Sequence, residues 1–174
     1  RAIEFLGPLK KAGVVSFKIE GRSKSIYYLS LVTRAYRRAI DDLEKNRDFN
    51  PHLIEEISKT ANRGFTSAFL ISAANHETER FDSPQEPDQP QIFGGQVVNE
   101  RSGWMEVDVR NRIELGDEAE CFSPGGQYKF KINAMETVAG KSISVAHGGN
   151  GTVWVRAEGP VEPYALLSLL KNNS

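Results

Sequence analysis

The sequence predicts an α+β chain in which a helical first part gives way to a small all-β domain. Apolar residues recur at helical intervals as far as about residue 62, and a stretch poor in large apolar side chains spans residues 72–91. Short β-favouring runs divided by glycine turns fill most of residues 92–174. The expected organisation is therefore a helix-strand-helix-helix segment over residues 1–71, a linker over 72–91, and a β domain over 92–174. With 174 residues, 39% of them hydrophobic and 26% charged, the chain is long enough to bury a core or two small ones.

The first element is a short helix over Ile3, Phe5, Leu6 and Leu9, stopped by Gly13. Val14 to Glu20 is a β-favouring run, and Gly21 breaks it. A long helix starts near Ser25, with Ile26, Leu29, Val32, Thr33, Tyr36, Ile40 and Leu43 forming one apolar stripe. Asn50-Pro51 signals a further helix through Leu53, Ile54 and Ile57 to about Asn62, ahead of Gly64. One strand among helices cannot form a sheet, because its backbone groups need neighbours. Its partners must come from elsewhere, and the orphan strand and the apolar stripe together favour pairing with a second copy.

The linker holds three of the eight prolines. Beyond it, strands are expected at Phe93–Val98, Trp104–Val109, Glu118–Phe122, Tyr128–Ile132, Ser142–Val145 and Thr152–Arg156. Gly94-Gly95, Ser102-Gly103, Pro124-Gly125-Gly126 and Gly148-Gly149-Asn150-Gly151 punctuate them, which suits a sandwich or a closed, barrel-like sheet. The last of these is a hairpin turn rather than a phosphate loop, since no helix follows it.

Composition excludes several classes. No apolar run approaches the roughly 20 residues of a membrane span, and the opening residues lack the apolar core of a signal peptide, so a cytoplasmic protein without a membrane partner is expected. The single cysteine, Cys121, cannot form an internal disulfide or a multi-cysteine metal site. His52, His76 and His147 are scattered, and no local nucleophile signature occurs, so no metal or cofactor is expected within this chain. The net charge of -1 is uneven. Residues 1–63 carry 13 Lys/Arg against 8 Asp/Glu, whereas residues 64–174 carry 9 against 15. The basic first part could face an anionic ligand, although a solvated helix face is the plainer reading.

The run Phe17-Lys18-Ile19-Glu20-Gly21-Arg22-Ser23-Lys24-Ser25-Ile26-Tyr27-Tyr28, with Tyr36-Arg37-Arg38-Ala39-Ile40-Asp41 downstream, resembles the shared block of the collagenase-like U32 peptidase family. Arg63-Gly64-Phe65-Thr66 followed by Phe69-Leu70 resembles the motif of its tRNA hydroxylation branch. The resemblance implies a C-terminal portion of such a protein: the last strand, Val14 to Glu20, and the helices of a (β/α) barrel, then a small β-barrel accessory domain. Some relatives bind an iron–sulfur cluster through upstream cysteines that no position here matches, so any cluster would lie outside this chain.

In such a barrel, alternation would pack Phe17 and Ile19 against helices and leave Lys18 and Glu20 near the C-terminal mouth, where barrel enzymes place reactive groups. Glu20 and Lys18 are then the catalytic candidates. Arg22 could hold a carboxylate or phosphate in bidentate fashion, and Lys24, Tyr27, Tyr28 and Arg37 could offer RNA phosphate contacts and stacking surfaces. A purely structural Lys18–Glu20 ion pair, with Arg22 capping a loop, is the competing reading. Three functions follow. The first is a part, inactive by itself, of a protein for prephenate-dependent hydroxylation of the tRNA wobble uridine; the second is a collagenase-like peptidase; the third is an accessory module that binds RNA or protein.

Overall fold

The computed structural model describes residues 1–60, 70 and 91–170. The chain divides into two compact units, residues 1–89 and 90–174, each considered separately below. The expected end of the third helix near Asn62, the Arg63-Gly64-Phe65-Thr66 motif and nearly all of the 72–91 linker lie outside the described residues.

In the first unit a 3-10 turn at Ile3–Phe5 runs into α1, Leu6–Lys11. Gly13 closes it with a φ of +92°, a left-handed conformation that glycine adopts without steric cost. Helix α2, Ile26–Glu44, begins at Ser25, whose Oγ accepts the Tyr28 N–H at 3.2 Å and satisfies one of the open donors of the first turn. Helix α3, His52–Ser58, follows Pro51, and the Asn50 side chain accepts the His52 N–H at 3.1 Å. Ile3, Leu6, Val32, Ala35, Ala39, Leu53 and Ile57 form the core of this unit.

Two expectations change here. Val14 to Glu20 forms no strand, because no neighbouring strand meets its backbone groups among the described residues. Val15 is 97% exposed. The apolar stripe of α2 is also covered in part within its own unit: Val32 is buried in the core cluster and Tyr36, Ile40 and Leu43 are half-buried against it, while Thr33 and Ile26 at its rim are exposed. Tyr27 and Leu31, four residues apart, bury a second face of the same helix.

The second unit is a largely antiparallel sheet. Among its described residues the strands are β1 Gln91–Arg101, β2 Trp104–Val109, β3 Ile113–Glu114, β4 Glu118–Ser123, β5 Gly126–Lys131, β6 Met135–Thr137, β7 Val145–Ala146, β8 Thr152–Arg156 and β9 Leu166–Leu170. Seven of them pair in the order β5-β4-β9-β1-β2-β8-β6, and β3 pairs with β7. The β1–β2 hairpin turns through Ser102 and Gly103, with φ of +48° and +79°, the sign pattern of a type I′ turn whose twist matches its strands. The expected strand at Ser142–Val145 shrinks to the two-residue β7 and an isolated bridge from Ser142 to Glu136.

Strand β9, in a stretch where no strand was expected, lies between β1 and β4 and joins the two hairpins into one sheet. Alternation sends Met105, Val107 and Val109 of β2, Ala119 and Cys121 of β4, and Leu167 and Leu169 of β9 into a shared core with Ile132, Met135 and Val155. Gly95 lets β1 approach β2 closely: a Cβ there would lie 2.4 Å from the Asp108 carbonyl oxygen. Among the described residues no helix is long and apolar enough to cross a membrane.

Candidate functional site

The segment between α1 and α2 carries the residues singled out from the sequence. Ile19 is half-buried against the helical core, and it anchors an otherwise exposed stretch. Lys18 and Glu20 point to solvent on either side of it. Their charged atoms pair at 3.6 Å, with the side chains 86% and 73% exposed, so solvent screens most of the attraction. The Arg22 backbone N–H donates to Glu20 Oε1 at 3.2 Å, and the Lys24 N–H donates to the Gly21 carbonyl at 2.9 Å, folding residues 20–24 into a tight turn. A Cβ on Gly21 would fall 2.0 Å from Leu29 Cδ2, so a side chain there would require Leu29 to shift.

Phe17, Lys18 and Glu20 form one wall of a cleft of about 240 Å³, and Tyr28, Val32 and Tyr36 of α2 form another. The Lys24 ammonium lies 5.6 Å from the centre of the Tyr28 ring, within cation–π range. The Tyr36 hydroxyl accepts the Ala2 N–H at 3.0 Å, and burial pushes its pKa above the usual phenol value. The cleft thus offers an aromatic wall, the Lys18 ammonium and the Glu20 carboxylate on an open lip, and Arg1 among its lining residues. Such a set can hold a charged, planar ligand by stacking and hydrogen bonds.

The structure therefore gathers Lys18, Glu20 and Tyr28 around one cleft, with Arg22 and Lys24 on the adjoining turn. Two candidates stand apart. Tyr27 is 5% exposed and turned into the protein, because neighbouring residues on a helix project about 100° apart and the Tyr28 direction faces the cleft. Arg37 is exposed, and its guanidinium is engaged by Asp41 one turn along α2 at 2.6 Å.

A charged cluster missed from the sequence sits between α2 and α3. Glu56 is buried, and its carboxylate is shared by Arg34 and, at 3.4 Å, by Arg38. It ties the two helices together. The pattern of Arg34 and Arg38 four residues apart was visible, but the partner on another helix was not. Among the described residues no group of three or more His, Cys, Asp or Glu is placed to hold a metal ion. Cys121 is buried in the second unit beside Tyr128, and burial raises its pKa above the ordinary thiol value, opposite to what a reactive or metal-binding thiolate needs. It does not fit an iron–sulfur ligand.

Comparison with known proteins adds to this geometry. Residues 1–80 match peptidase family U32, and residues 89–168 match the peptidase family U32 C-terminal domain. The chain is 36% identical over 169 residues to tRNA hydroxylation protein P of Escherichia coli strain K12, covering 96% of this chain and 37% of that protein. It is 30% identical over 140 residues to the 23S rRNA 5-hydroxycytidine C2501 synthase of the same organism, covering 75% of this chain and 21% of the synthase. It is 28% identical over 130 residues to a collagenase of Porphyromonas gingivalis, covering 71% of this chain and 36% of the collagenase. The chain thus spans well under half the length of these relatives.

Proposed function

The chain belongs to peptidase family U32, and from that premise we propose that it forms the C-terminal part of a protein that hydroxylates RNA, with the tRNA wobble uridine as the substrate and prephenate as the required small molecule. The 36% identity to tRNA hydroxylation protein P, sustained over 96% of this chain, is the observation that carries the reading. In this proposal residues 14–20 are the last strand of a (β/α) barrel that the preceding part of the protein completes. The exposure of Val14, Val15 and Phe17 supports it, since apolar side chains on an unpaired extended segment suit an absent sheet neighbour. The second unit is then a barrel-like accessory domain, and an iron–sulfur cluster, if the protein uses one, is held by cysteines upstream.

Lys18 and Glu20 at the mouth would position the reacting nucleotide or its co-substrate. Arg22 and Lys24 would take phosphate, and Tyr28 would stack on a base. Tyr27 is assigned to packing. This part by itself, without the rest of the barrel, is expected to be inactive. The test is tRNA binding by the intact protein across a salt series, with Arg22→Ala and Arg37→Ala variants. A steep salt dependence that Arg22→Ala reduces supports the reading. Loss of all tRNA binding at low salt by the unaltered protein would remove it. The similarity to a collagenase favours a second reading, proteolysis, and peptide cleavage by the intact protein is its test.

A further inference from the structure

Both tryptophans of the chain lie on one face of the second unit. Met105 and Val107 of β2 and Val155 of β8 point into the core, so Trp104, Trp154 and Arg156 project from the opposite face. Register fixes their neighbours: Trp104 stands across from Arg156 on β8 and from Arg101 on β1. The Arg156 guanidinium lies 5.7 Å from the centre of the Trp104 ring. Arg101 reaches over β2 and stacks 4.4 Å from the centre of the Trp154 ring. Two indoles and two guanidiniums therefore interleave across three strands, with Trp154, 7% exposed, buried beneath Arg101 and Trp104 half-buried.

The charges on this face are unequal in their partners. Glu106 accepts a hydrogen bond from the Thr152 hydroxyl at 2.6 Å, Asp108 is held by Arg110 at 2.7 Å, and Glu158 accepts from Asn133 at 2.8 Å, while Glu136 of β6 stands across from Trp154 on the same face. Among the described residues neither Arg101 nor Arg156 pairs with a carboxylate; Arg156 donates instead to the Ser102 carbonyl at 3.3 Å, which fixes it over the hairpin turn. Most of the net acidity of residues 64–174 lies before residue 90, and this unit is left with a small net negative charge. Residues 64–89 hold one arginine against five acids, whereas residues 90–174 hold eight basic against ten acidic residues.

We propose that the outer face of β1, β2 and β8 binds single-stranded RNA, with bases stacking on Trp104 and on the open faces of the two guanidiniums, and phosphates meeting Arg101 and Arg156. The proposal rests on the RNA-directed reading above and names a surface for it. Planar rings alternating with planar cations at strand spacing accept successive bases without regard to sequence, because every base has a π-face. The guanidinium is suited to both tasks, since it stacks through its plane and bonds phosphate along its edge.

The same feature supplies the test, because tryptophan emission from this chain reports on this face alone. The whole chain is titrated with oligouridylate and with an anticodon stem-loop RNA, following tryptophan emission and, in parallel, the anisotropy of end-labelled RNA. The expected result is quenching that tracks the anisotropy rise. An Arg101→Gln/Arg156→Gln variant should weaken binding at least about tenfold and lower the log–log salt slope by about 1.4, as loss of two single-strand phosphate contacts requires. An Arg101→Lys/Arg156→Lys variant should keep most of the slope and weaken binding through the lost guanidinium stacking, while saturating RNA still quenches Trp104. An anisotropy rise without quenching overturns the proposal and leaves the RNA reading standing. No anisotropy rise also overturns it, while tRNA binding by the intact protein decides the broader reading independently. An emission change that follows protein concentration without RNA would identify a second copy as the occupant, and would overturn it too.

Discussion

Replacing Leu167 by alanine tests the central position of β9. Leu167 is 0% exposed, and its backbone stands between Gly95 of β1 and Cys121 of β4. Truncating a fully buried leucine removes its transfer free energy and leaves a cavity, together costing about 2–5 kcal/mol, with about 3 kcal/mol a reasonable centre. Unfolding entropy near 2.1 cal/mol/K per residue gives about 0.17 kcal/mol/K for a sheet of this size, so the midpoint should fall by about 18 °C. Thermal unfolding followed by tryptophan emission reads this unit selectively, since both tryptophans lie on β2 and β8. Leu170→Ala, at the half-buried end of the same strand, should cost about 1 kcal/mol. If Leu167→Ala lowers the midpoint no more than Leu170→Ala does, β9 is not a central strand and the sheet order is wrong.

Gly95→Ala should lower the urea midpoint of the same emission signal by the equivalent of about 1–3 kcal/mol, because the new Cβ would meet the Asp108 carbonyl oxygen at 2.4 Å and a backbone atom cannot swing away. Glu56→Ala should cost the helical unit about 3 kcal/mol, read from its helical circular dichroism, because it takes the shared carboxylate from the half-buried Arg34 and from Arg38. The exposed neighbouring change Glu55→Ala should stay within about 0.5 kcal/mol. Alkaline pH should destabilise the second unit. Burial raises the pKa of both Cys121 and Tyr128 above their ordinary values of 9.0 and 10.0. Each therefore contributes stability that is complete below its unfolded pKa and is lost as pH rises toward the folded one. Melting midpoints should fall from pH 8 to pH 11, and Cys121→Ala/Tyr128→Phe should flatten that fall relative to its own value at pH 8.

Local chemistry made much of the helical unit legible. Ser25 as a cap, Gly13 as a stop and Asn50-Pro51 as a start act through backbone groups within a few residues, so a sequence window contains the whole cause. The same holds for β2 and β8, whose bounds at Trp104–Val109 and Thr152–Arg156 follow their alternation. Strand β9 was illegible for the opposite reason. Leu166, Leu167, Ser168 and Leu169 are all buried, so both faces are covered and Leu-Leu-Ser-Leu-Leu lacks the period of two that marks a half-exposed strand. Val14 to Glu20, which forms no strand among the described residues, shows the converse. Its residues favour a strand, but a strand exists only through its neighbours, and no local preference supplies them.

The two surfaces differ in the same way. Lys18, Glu20, Arg22 and Lys24 fall within seven residues, so alternation and a glycine turn suffice to bring them near one cleft, and the sequence pointed there. Tyr27 and Tyr28 could not be told apart, because choosing between adjacent helical residues requires knowing which side the core lies on. The Arg101, Trp104, Trp154 and Arg156 face depends on the register of β2 against β8, which pairs residues about fifty positions apart. Arg-x-x-Trp and Trp-x-Arg are unremarkable locally; they become an interleaved stack only when Trp104 stands opposite Arg156. A one-residue slip in that register would turn the indoles inward and the valines out, abolishing the face while keeping the strands. Disrupting the Ser102-Gly103 turn, as Gly103→Val would by placing a β-branched residue at a φ of +79°, should therefore weaken RNA binding by this face more than it lowers the β content.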